Sequence, residues 1–273
     1  MERRLITAAE AALLLTPKSS TAGRCIEAAM LTLLGAGLID IERSTGLFKE
    51  AALRLTTPSA GRPASLPGHV TAVEQALAAY GKGDRLNSSQ VNAALQKSFG
   101  SGYIRYVHDE VAPGLIKRGL LQRTNSKLLG IFPKIRYERT PSGAALIGPI
   151  ERLMAALDKV PSLIRSDPDE ALRLALSAGV LLVMSSAARE KIPKLRKLLS
   201  ARSGDSGGIV YAASGGAEDS EIGQGELGQA FQLGDMALAF NLLSLFDGVQ
   251  AVSEFTSGGD GSDGGDGGGG GGD

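Results

Sequence analysis

The fold is decided by residues 103–137, which read YIRYVHDEVAPGLIKRGLLQRTNSKLLGIFPKIRY. Four apolar residues recur there at helical spacing: Ile104, Val107, Val111 and Leu115. They predict a helix that bends at Pro113–Gly114, because proline cannot complete the helical hydrogen-bond ladder. Alternating residues after Gly119 predict a β-hairpin that ends near Tyr137 and turns at Asn125–Ser126.

The segments before this stretch are mainly helical. Residues 1–56 have the pattern of two helices and a short hairpin near residues 38–55, and residues 70–80 have that of a third helix. Ser88 or Ser89 is expected to cap a further helix, which stops at Gly100.

The second half of the chain is also helical. Asp167 is followed by Pro168 and, three positions after the cap, by Glu170, which predicts a helix from here to about residue 178. A second helix is expected over residues 187–199, with its basic side chains outward: Lys191, Lys194, Arg196 and Lys197. The predicted fold is mainly α, a helical domain with one projecting β-hairpin, followed by a disordered acidic tail rich in Gly and Asp.

The charges of the chain are strongly segregated. All 29 basic residues and 17 acidic ones lie in residues 1–202, which gives this part a net charge of +12. Residues 203–273 hold 12 acidic residues and no basic one. We predict a helical domain over 1–202, a flexible acidic linker over 203–230, an amphipathic helix over 231–252 and a disordered tail over 253–273. A body of this charge attracts nucleic acid, an anionic membrane or its own tail, unless the charges only solvate the surface.

No familiar catalytic or metal-binding motif is present in the sequence. Cys25, His69 and His108 are the only cysteine and histidines, too few for the usual four ligands of a structural zinc site. Neither a phosphate-binding P-loop nor a nucleophile motif occurs. We therefore expect no enzyme, no cofactor and no metal. The longest apolar runs are shorter than the roughly 20 residues that a membrane crossing needs, and the single cysteine suits a reducing cytoplasm.

One group of residues indicates a binding surface. Arg105 and His108 lie three positions apart and share a helix face beside the apolar stripe. The hairpin combines basic and apolar residues: Leu128, Leu129, Ile131, Phe132, Lys134 and Arg136. Basic groups beside exposed apolar residues suit a lipid interface. The alternative is that the apolar residues belong to the core and the basic ones are only solvated.

Residues 114–121 (GLIKRGLL) and 129–137 (LGIFPKIRY) resemble the Golgi phosphoprotein 3 family, in its broader form that includes bacterial members. Residues 29–39 and 169–179 agree with the same family, so that the resemblance covers about residues 3–200. It implies a largely helical fold with one projecting hairpin. It also implies a peripheral membrane protein that binds phosphatidylinositol 4-phosphate. Eukaryotic members of the family sort glycosyltransferases in the Golgi.

The resemblance also implies a set of site residues. The phosphate pocket of the family uses a Trp and an Arg from the first helices and two Arg residues on the helix before the hairpin. The last two positions fall on Arg105 and His108. The Trp is absent, and Arg24 lies two residues from Ile26, where the early Arg is expected. The implied partners are an anionic membrane lipid, cytoplasmic tails of membrane enzymes and a second copy of the chain through the hairpin. The implied location is cytoplasmic and peripherally membrane-associated.

A winged-helix DNA-binding transcriptional regulator is the alternative prediction. In such proteins a recognition helix is followed by a hairpin wing, and LIKRGLLQR with the hairpin after it fits this pattern. The candidate recognition helix, over residues 89–99, offers Asn92, Gln96 and Lys97 as polar groups for bases or phosphates. DNA is a partner only under this alternative.

Overall fold

A computed structural model describes residues 6–18, 21–43, 51–56, 66–80, 85–128, 132–203 and 242–257. These residues form one helical body with a three-stranded sheet and a separate two-stranded hairpin. The prediction of a mainly α fold with a β-hairpin is confirmed. The predicted linker and most of the predicted tail lie outside the described residues.

The N-terminal part is built around one buried helix. Helix α1 (Ala8–Leu15) leads to α2 (Ala22–Gly35), whose side chains are buried along almost its whole length. Strand β1 (Ile39–Arg43) then pairs antiparallel with β2 (Ala51–Leu55), which confirms the predicted hairpin near residues 38–55. A third strand that the sequence did not predict, β3 (Arg85–Asn87), pairs with the other edge of β2.

Two helices flank β3 in the chain, one before it and one after it. Helix α3 (Gly68–Tyr80) matches the prediction, and α4 (Ser88–Phe99) ends at Gly100 as expected. The predicted cap of α4 was wrong, because Asn87 and not Ser88 or Ser89 accepts the hydrogen bond from the Gln90 backbone N–H, at 2.9 Å. The Gln90 side chain in turn accepts from the Asn87 backbone N–H, so that a complete capping box begins this helix.

The predicted bent helix contains a change of helix type instead. A 3₁₀ turn (Ser101–Tyr103) is followed by a π-helical turn (Tyr106–Val111) and by α5 (Ala112–Lys117). The Ala112 N–H donates to the Val107 carbonyl, five residues back, directly before Pro113, which has no N–H to donate. Ile104 is 44% exposed and does not belong to the buried stripe, so that prediction was wrong.

The hairpin consists of β4 (Leu121–Leu128) and β5 (Phe132–Arg139). The turn predicted at Asn125–Ser126 was wrong, because Asn125 pairs with Ile135 within the ladder. The last described pair of the ladder is Leu128 with Phe132, and residues 129–131 between them lie outside the described residues. At the base of the hairpin, Arg139 donates from Nε to the Leu14 carbonyl at 2.7 Å and so ties β5 to the end of α1.

The second half packs further helices on the body: α6 (Pro141–Leu157), α7 (Val160–Ser166), α8 (Pro168–Ala178), a 3₁₀ turn (Gly179–Met184), α9 (Ser186–Arg189) and α10 (Ile192–Ser203). Asp167 caps α8 by accepting from the Glu170 N–H at 3.0 Å, as predicted. The single helix predicted over residues 187–199 was wrong, because the helix is interrupted between Arg189, where α9 ends, and Ile192, where α10 begins. Pro193 lies in the first turn of α10, where the N–H that proline lacks would have no partner within the helix.

The last described helix is α11 (Leu242–Ser257), which packs against α2, α4, α10 and β1. Its buried residues join the same core as the rest of the chain: Val249, Ala251, Val252 and Phe255. The folded body therefore does not end at residue 202, and the helix continues past residue 252 into the segment predicted to be disordered. Residues 231–241 of the predicted helix lie outside the described residues.

Candidate functional site

The backbone before the π-helical turn is held in an unusual conformation. Gly100, Gly102 and Tyr103 have φ values of 79°, 63° and 56°, all in the left-handed region. Tyr103 is a strained exception to the glycine preference, and its buried side chain is fixed by a hydrogen bond from its hydroxyl to Asn92 Oδ1 at 2.9 Å. Strain of this kind in a non-glycine residue is often found at functional sites. Here it follows the end of α4 and precedes the segment that carries Arg105.

Arg105 lies exposed at the start of the π-helical turn, folded over Gly100. A Cβ atom at Gly100 would lie 3.2 Å from Arg105 Nε and 3.5 Å from one of its terminal nitrogens. Glycine therefore serves two purposes here: it accepts the left-handed backbone and it leaves room for the guanidinium beside the chain.

His108 lies half-buried in the π-helical turn and is held by the hairpin. Its Nδ1 is 2.5 Å from the Tyr137 hydroxyl, and the two rings are 5.5 Å apart. Burial raises the pKa of Tyr137, so that this phenol keeps its proton at neutral pH. When the phenol O–H donates to Nδ1 of the neutral imidazole, the imidazole proton lies on Nε2; in the other tautomer Nδ1–H donates to the phenol oxygen. In the first arrangement His108 is a hydrogen-bond donor through Nε2 even without a charge.

The charge of His108 is disfavoured by its surroundings. Burial lowers the pKa of His108, Asp109 opposes this effect, and the Arg123 guanidinium lowers the pKa further. Arg123 also lowers the pKa of Tyr137, against the effect of burial. Arg123 is exposed on β4, directly opposite Tyr137 in the ladder. Arg123 was not among the predicted site residues, because its neighbours follow from the hairpin register and the predicted turn gave a different register.

Arg24 is not brought to this group by any described contact. It lies exposed in the first turn of α2, one helical turn from Glu27. Burial raises the pKa of Glu27, while Arg189 and, more weakly, Arg24 lower it. Arg189 also forms an ion pair with Glu27 at 2.7 Å. Within the described residues, no hydrogen bond or ion pair joins Arg24 to Arg105 or His108.

The structure describes only part of the predicted membrane-facing hairpin. Leu128 pairs with Phe132, Lys134 with Ser126, and Arg136, which is exposed, with Thr124. Leu129 and Ile131 lie outside the described residues. Arg136 is the neighbour of Tyr137 in β5, so it lies on the opposite face of the hairpin. That Leu128, Leu129, Ile131 and Phe132 enter a lipid layer stays a prediction.

A buried polar network lies behind the site and joins three helices. Glu10 on α1 forms an ion pair at 2.5 Å with Arg118, the residue that follows α5. The Glu10 carboxylate also accepts a hydrogen bond from the Thr7 backbone N–H at 2.9 Å. The Thr7 hydroxyl is 3.0 Å from Nε2 of His69 on α3, and the Tyr106 hydroxyl donates to the His69 carbonyl at 3.2 Å. The network is buried, so we assign it a structural role, which is to fix the π-helical turn against α1 and α3.

Three further features concern thiol chemistry, metal binding and membrane crossing among the residues that the structure describes. Burial raises the pKa of the Cys25 thiol to about 12, which leaves it unreactive at neutral pH. No cluster of three or more His, Cys, Asp or Glu side chains suited to a metal ion occurs in this part of the chain. None of the described helices has both the length and the apolar character for a membrane crossing.

Comparisons with known proteins add no relative to this description. No family model, no curated protein and no solved structure matches the chain. The function is therefore inferred from the geometry of the site and from the sequence.

Proposed function

We propose that the protein is a peripheral membrane protein that binds the phosphorylated head group of an anionic lipid, of the phosphatidylinositol 4-phosphate type, on the cytoplasmic side of a membrane. One observation carries this proposal. Arg105 and His108 lie three residues apart in one helical segment that follows a strained, glycine-dependent turn, and the Tyr137 hydroxyl of the hairpin contacts His108. Guanidinium and imidazole donors are suited to phosphate oxygens.

The distribution of charge supports the same proposal. Residues 1–202 carry a net charge of +12, which attracts the body to an anionic surface, where each basic residue near the lipid contributes about 1 kcal/mol. The resemblance of residues 114–121 and 129–137 to the Golgi phosphoprotein 3 family is consistent with this role. We further propose that cytoplasmic tails of membrane enzymes and a second copy of the chain, through the hairpin, are partners on the membrane.

Two features weigh against the alternative of a winged-helix DNA-binding protein. Asn92 on the candidate recognition helix accepts the Tyr103 hydroxyl and is thereby engaged within the protein. In addition, β3 pairs with β2 and not with the β4–β5 hairpin, so the described strands form two separate sheets. A hairpin wing that extends the sheet of a DNA-binding domain would need β3 to pair with the β4–β5 hairpin.

Flotation with vesicles tests the proposal. The wild-type protein should float with phosphatidylcholine vesicles that contain phosphatidylinositol 4-phosphate, and less with vesicles of phosphatidylcholine alone. Arg105→Gln should lower this binding by about 10-fold or more, beyond the roughly 5-fold loss that ~1 kcal/mol for one diffusely attracted charge gives.

Arg85→Gln is the matched control. Arg85 is an exposed arginine on β3, at the opposite end of α4 from Gly100, about 18 Å away at 1.5 Å per residue. The Arg85→Gln protein should lose no more vesicle binding than the roughly 5-fold expected for one diffusely attracted charge. A protein that ignores both kinds of vesicle but retards duplex DNA, with affinity falling steeply as salt rises, would support the DNA-binding alternative instead.

A further inference from the structure

We propose that Arg123 of the hairpin is a third anion-binding residue of this site, and that Tyr137 positions His108 for the same ligand. This inference rests on the proposed function. The sequence places the site residues Arg105 and His108 on one helix, and the inference adds a residue on strand β4. The ligand chemistry is a phosphate monoester, whose three terminal oxygens can accept from three separate donors.

The first step is the contiguity of the three residues. Arg123 and Tyr137 are direct partners in the antiparallel ladder, and such partners have Cβ atoms about 4.5–5.5 Å apart on the same face. Tyr137 reaches His108 through the 2.5 Å contact between its hydroxyl and Nδ1. Arg123, Tyr137 and His108 therefore form a continuous row from strand to helix, and Arg105 lies one helical turn before His108.

The second step concerns the availability of Arg123. Its side chain is exposed, and no ion pair holds it among the residues that the structure describes. Its charge acts on both His108 and Tyr137, since it lowers the pKa of each. Asp109 is the acidic group that acts on the same two residues, in the opposite direction. Arg123 is thus an exposed cation whose charge reaches His108, with Asp109 as the opposing charge.

The third step concerns the role of Tyr137. We assign its O–H as the donor to Nδ1 of His108, 2.5 Å away, so that Nε2 carries the proton and is left to donate. Without this hydroxyl the neutral imidazole can place its proton on either nitrogen, and the tautomer with Nδ1–H offers the ligand no donor at Nε2. Tyr137 is thus a positioning residue and makes no contact with the ligand in this account.

Calorimetric titration with inositol 1,4-bisphosphate, the soluble head group, separates this site from general attraction to a membrane. Arg123→Gln should weaken binding by about 10-fold or more, since a hydrogen bond from a charged group contributes about 1.5–3 kcal/mol. Arg85→Gln, an equal loss of charge on the other sheet, should change it by less than about 2-fold. Inorganic phosphate should bind more weakly and show the same order among the variants.

Tyr137→Phe is tested by a spectroscopic measurement as well as by affinity. In the wild-type protein at neutral pH, the ring ¹⁵N shifts of His108 should report the Nε2–H tautomer, and in Tyr137→Phe a mixture of both, with severalfold weaker binding. An unchanged tautomer in Tyr137→Phe would overturn the positioning role.

The outcomes for Arg123 also separate the two proposals. Equal affinities of Arg123→Gln and Arg85→Gln, with binding lost in Arg105→Gln, would overturn the role of Arg123 and leave the proposed function standing. A wild-type protein that binds neither the soluble head group nor vesicles with phosphatidylinositol 4-phosphate would overturn both.

Discussion

Replacing Gly248 of α11 by alanine should destabilise the protein, although alanine is the better helix former. In an exposed helix the change would gain about 1 kcal/mol. Here a Cβ atom would lie 2.0 Å from Cδ2 of Leu34 on α2 and 3.2 Å from Cδ1 of Ile41 on β1. Leu34 is only 3% exposed and has little space to move. Overpacking costs about 1–3 kcal/mol, and a contact this close belongs at the upper end, so that the net loss is about 1–2 kcal/mol.

Urea unfolding followed by circular dichroism measures this loss as a lower midpoint. Ser253→Ala, at a half-exposed position of the same helix, is the control and should raise stability by a few tenths of a kcal/mol. The sign of the Gly248→Ala effect is decisive, because an α11 that did not pack on the body would be stabilised by alanine. An increase in midpoint for Gly248→Ala would refute the assignment of α11 to the core.

Three further predictions concern the buried network and the tail. Arg118→Met leaves the Glu10 carboxylate buried without its ion-pair partner and should lower the free energy of unfolding by about 2–3 kcal/mol, a loss that a double variant with Glu10→Gln partly restores in urea unfolding. Burial lowers the pKa of His69, so the unfolded chain takes up a proton first as pH falls through about 6.5; stability should therefore decrease between pH 7 and pH 5.5, and less so in His69→Gln. Truncation after Ser257 should leave the unfolding midpoint unchanged. If the acidic tail, at an effective concentration of about millimolar, covers the basic face, the truncation should strengthen vesicle binding at low salt but not at high salt. Equal binding of both proteins at low salt would exclude competition by residues 258–273, which carry four of the 12 acidic residues that follow residue 202.

The parts of the fold that were predicted correctly depend on local signals. The start of α8 follows from Asp167 and Pro168, because a cap and a first-turn proline act within a single helical turn. The end of α4 at Gly100 follows from the left-handed backbone that glycine permits. Such signals need no knowledge of what the element packs against.

The errors arose where distant contacts decide the structure. Asn125–Ser126 resembles a turn locally, but burial of Leu121 and Tyr137 against the body fixes a register in which both residues pair within the ladder. The π-helical turn has the same apolar spacing as an α-helix, so its pattern could not reveal it. Similarly, α11 follows a long acidic segment, and only its packing on α2 shows that it belongs to the core.

The candidate site was predictable only where its residues are close together in the sequence. Arg105 and His108 are three residues apart on one segment, so that sequence spacing places them together. Arg123 and Tyr137 join them only through the hairpin register, and the contacts behind the site link Thr7 with His69 and Glu10 with Arg118, 62 and 108 residues apart. Sequence spacing carries no information on contacts at such separations.

Hydrogen–deuterium exchange with and without vesicles that contain phosphatidylinositol 4-phosphate tests the central claim most directly, because it locates the bound surface. The account predicts slower exchange in the π-helical turn (Tyr106–Val111) and in the β4–β5 hairpin when the vesicles are present. It predicts no change in α10, whose exposed Lys194, Arg196 and Lys197 form a basic surface outside the site. Protection of α10 alone, or of α4 without the hairpin, would contradict the account.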